Sequence, residues 1–162
     1  MKGMRLLEIS KLLVSVTICQ VGGALGSFFT RPSIPTWYAT LKKPWFTPPN
    51  WVFAPVWLTL FLLMGIAVFL VWRQRLRNQK VKVALAVFTV QLILNVVWSA
   101  VFFGFRSPLA GLVVIIILWV AILLTLLQFF KVSRLAGFLL LPYIGWVSIA
   151  ASLNTSILIL NP

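Results

Sequence analysis

Acidic residues are almost absent from this sequence, and histidine is missing altogether. The 162 residues include one acid, Glu8, and no histidine, against 14 lysines and arginines. An acid–base pair, a catalytic triad or a metal cluster of the usual ligands needs residues that this chain lacks. Haem held by an axial histidine is excluded on the same ground. These absences favour a protein that binds a ligand by burial over an enzyme that uses acid–base chemistry.

Cysteine and charge are also scarce. The single cysteine, Cys19, allows neither an internal disulfide nor a thiolate metal site. Charged residues make up 9% of the chain and hydrophobic residues 62%, which is typical of an integral membrane protein. The net charge of +13 could indicate nucleic-acid binding, but the cations lie at the ends of apolar runs, as membrane topology requires. We therefore predict a membrane protein with no nucleic-acid partner, metal or cofactor.

The apolar residues fall into five runs, each near the roughly 20 residues that a membrane-spanning helix needs. We predict an all-α fold, a polytopic bundle of five transmembrane helices in one domain over residues 1–162. The predicted helices cover about 9–29, 51–72, 83–105, 109–130 and 135–158. The first run could also be a signal peptide, because basic residues precede it and its second half contains small residues. Its length and the spacing of Gly22 and Gly26 favour a retained helix.

Basic residues divide unequally between the two ends of such a bundle. Five spans put four cations at one end and ten at the end that holds the N-terminus. The ten are Lys2, Arg5, Lys11, Arg73, Arg75, Arg77, Lys80, Lys82, Lys131 and Arg134. We predict a bacterial cell membrane, and the positive-inside rule then places the N-terminus on its cytoplasmic side. An organelle outer membrane is the alternative.

Three further patterns indicate where a ligand could bind. The loop over residues 30–50 is rich in aromatic rings, which either form a belt at the membrane surface or fold back over the helices, and we predict the second. Gln91, Asn95 and Ser99 share one face of the third helix with Trp98. Such polar residues turn inward, as contacts between helices or as the lining of a cavity. Either role is possible for Gln91 and Ser99, whereas we predict that Asn95 lines a cavity.

Bulky side chains mark faces of three other helices. On the fifth helix, Tyr143 and Trp146 accompany Ala150, which predicts large walls around a gap. On the second, Trp57 belongs to an apolar stripe that by itself indicates ordinary core. Trp119 of the fourth helix has no polar neighbour on its own face, and we expect it to contact lipid.

Three motifs, in order along the chain, resemble those of the translocator protein / tryptophan-rich sensory protein (TspO/MBR) family. The loop motif reads Trp37-Tyr38, Leu41, Lys43-Pro44 and Pro48-Pro49. The third-helix motif reads Leu94-Asn95-Val96-Val97-Trp98-Ser99 and Phe102-Phe103-Gly104. The fifth-helix motif reads Pro142-Tyr143, Trp146, Ala150 and Leu153-Asn154. The resemblance extends from about residue 35 to residue 154.

The resemblance implies a five-helix bundle, commonly a homodimer, that binds porphyrins such as protoporphyrin IX under its first loop. Candidate dimer contacts are Gly22 with Gly26, or Ala100 with Gly104. The ligand-binding residues that the resemblance implies are Tyr38, Pro44, Trp57, Asn95, Trp98, Trp146 and Ala150. We predict that Trp45 and Tyr143 also bind the ligand. No catalytic residue is predicted. Trp57 and Trp146 match tryptophans that the family ties to light-dependent porphyrin breakdown, and they are photochemical candidates only.

The sequence departs from the family pattern after Asn154. The aromatic and basic residues of the animal sterol motif are missing there, so we do not expect cholesterol binding. We predict a membrane receptor or sensor that binds a tetrapyrrole and regulates tetrapyrrole levels. The alternatives are a transporter of porphyrin or another hydrophobic ligand, and a light-dependent porphyrin-degrading protein.

Overall fold

A computed structural model describes residues 2–74 and 76–162, with side chains from residue 6 onwards. Its helices are α1 (Lys2–Ser33), α2 (Trp37–Thr40), α3 (Asn50–Trp72), α4 (Gln79–Ser99, continued by the π-helical turn Ala100–Gly104), α5 (Pro108–Val132) and α6 (Arg134–Leu160). All except α2 are long and apolar enough to cross a membrane, which confirms the predicted bundle of five spans. Arg75 and the side chains of Lys2 and Arg5, which entered the charge count, lie outside the described part.

The segment predicted as a loop over residues 30–50 is helical at two places. The first helix continues through Pro32 to Ser33, and it ends where Pro35 disfavours helical geometry at the residue before it. The hydroxyl of Thr36 donates to the carbonyl of Pro32 at 2.8 Å and links α1 to the single turn of α2. The prediction was wrong here because the run of apolar residues stops before the helix does.

The first helix packs against α3 and α4 as a member of the bundle. Gly65 of α3 permits the closest approach, since a Cβ at this position would lie 2.6 Å from the Cα of Val16. Gly22 and Gly26 similarly face side chains of α4, and Gly104 faces a ring of α1. These glycines pack against other helices of the same chain, so the structure does not support them as dimer contacts. The homodimer stays a prediction without an assigned interface.

Side-chain caps determine where three of the long helices begin. Asn78, Ser107 and Ser133 each accept a hydrogen bond from a backbone N–H in the first turn of α4, α5 and α6. Pro108 takes the first position of α5, where a missing N–H costs little. Arg106, with φ of 54°, reverses the chain just before this helix. The short connections keep α4, α5 and α6 in sequential antiparallel contact.

Candidate ligand-binding site

The polar side chains of α4 form a buried network with α6. Nδ2 of Asn95 donates to the Tyr143 hydroxyl at 2.9 Å, and this hydroxyl donates to Oε1 of Gln91 at 2.9 Å. All three side chains are buried, and Gln91 also contacts the sulfur of Met64 in α3. Because unpaired polar groups are costly in an apolar interior, the network ties the two helices together. Asn95, which we predicted would line a cavity, serves this contact between helices.

Aromatic rings of α3 and α6 lie against this network. Trp57 meets Tyr143 edge-on, with ring centroids 6.4 Å apart, and it stacks on Phe61 at 5.6 Å. One turn nearer the loop, Phe53 meets Trp146 edge-on at 5.8 Å. The apolar stripe of the second predicted helix therefore faces the bulky side of the fifth. Two predicted ligand-binding residues of α6, Tyr143 and Trp146, each have an aromatic partner on α3.

The indole N–H of Trp146 has no hydrogen-bond partner among the described residues, although Nε1 is buried. A buried indole N–H usually finds an acceptor, so this one needs an explanation. Ala150, one turn further along α6, is also buried and adds little bulk. A groove of about 490 Å³ opens beside Trp146 between α3 and α6, and Pro55 and Gly145 are among its lining residues. The side chain of Trp146 therefore lines the groove, while its N–H is buried beneath that surface without a partner.

The first half of the loop covers the end of α4. Tyr38 is 4% exposed and packs on Phe103 at 5.7 Å, and Trp37 meets Phe102 edge-on at 5.5 Å. Burial raises the pKa of the Tyr38 hydroxyl above its ordinary value, so the side chain stays neutral in this contact. Nζ of Lys43 lies 4.7 Å from the centre of the Tyr38 ring, within reach of a cation–π contact. The prediction that the loop folds back over the helices is confirmed for this half.

The second half of the loop points outward. Trp45 is 96% exposed, and its ring meets that of Phe46 edge-on at 5.7 Å. Trp51, at the start of α3, is 75% exposed, whereas Pro44 is half-buried. Trp45 was predicted to bind ligand, but the structure does not bring it to the other candidates. Trp45 and Trp51 instead fit the aromatic belt that was the alternative interpretation of this loop.

Trp98 lies beneath the loop, where it connects α4 to α6. It stacks on Phe102 at 5.6 Å, and its Nε1 donates to Oδ1 of Asn154 at 3.4 Å. Asn154 donates in turn to the carbonyl of Pro108 at 2.7 Å, which holds the beginning of α5. Gly111 leaves room for this amide, because a Cβ there would lie 3.0 Å from Oδ1. Asn154 entered the sequence analysis only within a family motif, although an amide in an apolar run is itself a signal.

Asn161 is a residue that sequence reasoning missed. Its Oδ1 accepts from the backbone N–H of Lys42 at 3.0 Å, and its Nδ2 donates to the carbonyl of Lys42 at 3.0 Å. The same Nδ2 donates to the carbonyl of Ile157 in α6 at 2.8 Å. The loop is therefore attached to the end of the last helix. Nothing in the local sequence pattern indicates this pairing between distant residues.

Trp119 has a polar neighbour on another helix, and its contact with lipid stays a prediction. Its Nε1 donates to Oγ of Ser148 at 2.8 Å, so its polar neighbour comes from α6 and not from its own helix face. The side chain is half-buried at a smaller groove of about 290 Å³ between α5 and α6. Trp119 therefore contributes to the packing of α5 against α6.

The chain matches the model of the TspO/MBR family over residues 15–160. It is 46% identical over 155 residues to a tryptophan-rich protein TspO of Chlorobaculum tepidum, across 96% of this chain and 98% of that protein. It is 37% identical to a tryptophan-rich sensory protein of Cereibacter sphaeroides, across 77% of each chain. It is 38% identical to the human translocator protein, across 83% of this chain and 80% of that protein. The matched region contains every candidate residue from Tyr38 to Ala150.

Proposed function

Because this chain belongs to the TspO/MBR family and is an integral membrane protein, we propose that it is a membrane sensor that binds a tetrapyrrole such as protoporphyrin IX. The proposed site lies between α3, α4 and α6. Trp57, Trp98 and Trp146 form its walls, and the segment from Tyr38 to Pro44 covers it. Occupancy of this site would report the level of tetrapyrrole in the membrane.

The observation that carries the proposal is the unpartnered indole N–H of Trp146. A buried donor without an acceptor costs about 1–3 kcal/mol, so a ligand that supplies an acceptor is favoured. The imine nitrogens and propionates of a free-base porphyrin are acceptors, and its flat ring suits neighbouring aromatic faces. A hydrocarbon chain in the same place would leave the N–H unpaired.

The remaining groups around the site suit a flat ligand that is held without metal ligation. The chain has no histidine, so affinity comes from burial and stacking. The network of Gln91, Tyr143 and Asn95 forms a rigid floor, since its members already satisfy one another. Lys42 and Lys43 in the covering segment can meet propionates at the membrane surface, where charges stay hydrated and little desolvation is required.

Titration with free-base protoporphyrin IX, followed by quenching of tryptophan fluorescence, tests the proposal. Trp146→Phe keeps a ring but removes the N–H, and we expect affinity to fall about tenfold. Ala150→Phe overfills the site and should abolish binding. The matched control is Trp72→Phe at the far end of α3, which also removes one indole and should bind like wild type. The proposal fails if Trp146→Phe and Ala150→Phe both retain wild-type affinity, or if only the iron-loaded porphyrin binds.

Two further experiments on the purified protein test the alternative functions. Porphyrin flux into proteoliposomes would indicate a transporter, whereas saturable binding without flux supports a sensor. Illumination followed by product analysis tests degradation. A chemically altered porphyrin that is lost in Trp57→Phe and Trp146→Phe would assign the light-dependent reaction to these side chains.

A further inference from the structure

One end of the bundle carries cations that the chain cannot neutralise. This basic end consists of the described residues Lys11, Arg73, Arg77, Lys80, Lys82, Lys131 and Arg134. The sequence contains one acidic residue, Glu8, and its Oε1 lies 3.5 Å from a guanidinium nitrogen of Arg73. No second Asp or Glu exists in the chain for the other six cations. Their counter-charges must come from outside the chain.

The order of the helices gathers these cations at one end. The connections from α3 to α4 and from α5 to α6 both lie on the side of the bundle where α1 begins. The Glu8–Arg73 pair and the ammonium of Lys11, 5.9 Å from the ring of Trp72, fix the start of α1 beside the end of α3. Most of the cations are exposed; these are Arg73, Arg77, Lys80, Lys82, Lys131 and Arg134.

Exposed apolar side chains adjoin the same cations. Next to Lys131 and Arg134, the side chains of Leu127, Leu135 and Phe138 are 47%, 59% and 57% exposed. A partner that covers both features must carry negative charge beside hydrocarbon. A phospholipid has both parts in this arrangement, whereas inorganic phosphate or an acidic soluble protein matches only the cations.

We propose that the basic end binds the phosphate groups of anionic phospholipids, of which phosphatidylglycerol is the simplest probe, with their acyl chains against the exposed apolar residues of α5 and α6. Anionic headgroups attract exposed lysine and arginine, and salt weakens this attraction. The opposite end has four cations, Arg31, Lys42, Lys43 and Arg106, so lipid binding should favour one leaflet. The proposal does not depend on the tetrapyrrole site.

Lipid retention by the detergent-solubilised full chain tests this surface. The protein is mixed with phosphatidylglycerol or with phosphatidylcholine of the same acyl chains, and bound lipid is counted by native mass spectrometry. We expect wild type to retain phosphatidylglycerol preferentially and to unfold at a higher temperature in its presence. The double variant Lys80→Gln, Lys131→Gln should weaken this retention about tenfold, and high salt should weaken it in wild type.

The matched control is the double variant Arg31→Gln, Arg106→Gln, which removes two exposed cations from the opposite end. It should retain phosphatidylglycerol like wild type. Far-UV circular dichroism checks that both variants keep their helices, as exposed positions should allow. Equal retention of the two lipids, or equal losses in the two variants, would overturn the proposal. Displacement of the lipid by inorganic phosphate at matched concentration would reassign the surface to free phosphate and overturn it as well.

Discussion

The side-chain amide of Asn161 pairs with both backbone groups of Lys42 through two hydrogen bonds of 3.0 Å. This pairing attaches the segment that covers the proposed site to the end of α6. Lys43, the next residue, donates to the carbonyl of Leu41 and lies over the ring of Tyr38. The cover is thus held from α6 on one side and from the buried Tyr38 on the other.

Removal of the Asn161 amide should loosen this cover. Each lost hydrogen bond is worth about 0.5–1.5 kcal/mol net, so Asn161→Ala should speed porphyrin dissociation about tenfold. Stopped-flow recovery of tryptophan fluorescence measures the rate. Asn50→Ala, an exposed amide at the start of α3, is the control and should dissociate like wild type. An unchanged rate in Asn161→Ala would show that the pairing does not limit release.

The Tyr143 hydroxyl should stabilise the bundle through its two buried amide partners. Tyr143→Phe removes the partner of Nδ2 of Asn95 and of Oε1 of Gln91, and we expect the free energy of unfolding to fall by about 1–3 kcal/mol. Thermal unfolding in one detergent measures the change. Thr59→Val removes an exposed hydroxyl that bonds only to its own helix, and it should have little effect. Equal losses of Tm in the two variants would contradict this role of the network.

Two glycines should respond oppositely to the same substitution. At Gly65 a new Cβ would lie 2.6 Å from the Cα of Val16, so Gly65→Ala should push α1 away from α3 and destabilise the protein by about 1–3 kcal/mol. At Gly145 nothing lies within 4 Å, and Gly145→Ala should be neutral or stabilising, because alanine favours a helix. Thermal unfolding of the pair compares the two positions. A neutral Gly65→Ala would refute the close approach of the helices.

The distribution of charge should determine the orientation of the protein. We propose that the protein lies in a bacterial cell membrane with its basic end on the cytoplasmic side. The C-terminus is then on the opposite side. Alkaline phosphatase fused to the C-terminus should then be active, and green fluorescent protein fused there should be dark. The reverse pattern of activities would contradict the proposed orientation.

Hydropathy was sufficient to predict the five spans, because a helix in lipid must satisfy its backbone within one continuous apolar segment. Periodicity was sufficient to place Gln91, Asn95 and Trp98 on one inward face of α4, since each helical turn repeats the same direction. The bulky face of α6 was predicted for the same reason. These features depend on residues that are close together in the sequence.

Features that depend on which helices are neighbours could not be predicted in this way. The acceptor for Trp119 comes from Ser148 and the partner of Lys42 is Asn161, and no local pattern relates the members of either pair. The loop posed a different difficulty. Composition showed that its rings needed contacts, but it could not show that Tyr38 turns inward while Trp45 turns outward.

Each end of α3 carries a tryptophan, Trp51 near the start and Trp72 at the finish. The helix has 23 residues, so its axis is about 34 Å long, close to the roughly 30 Å hydrocarbon thickness of an ordinary bilayer. Indole rings prefer the two interfaces, and both positions can occupy them at once. In a much thicker or thinner bilayer, either the lipid must deform around the bundle or the bundle must tilt. The separation of these two rings therefore suits a bilayer of ordinary thickness, in which neither the lipid nor the bundle has to adjust.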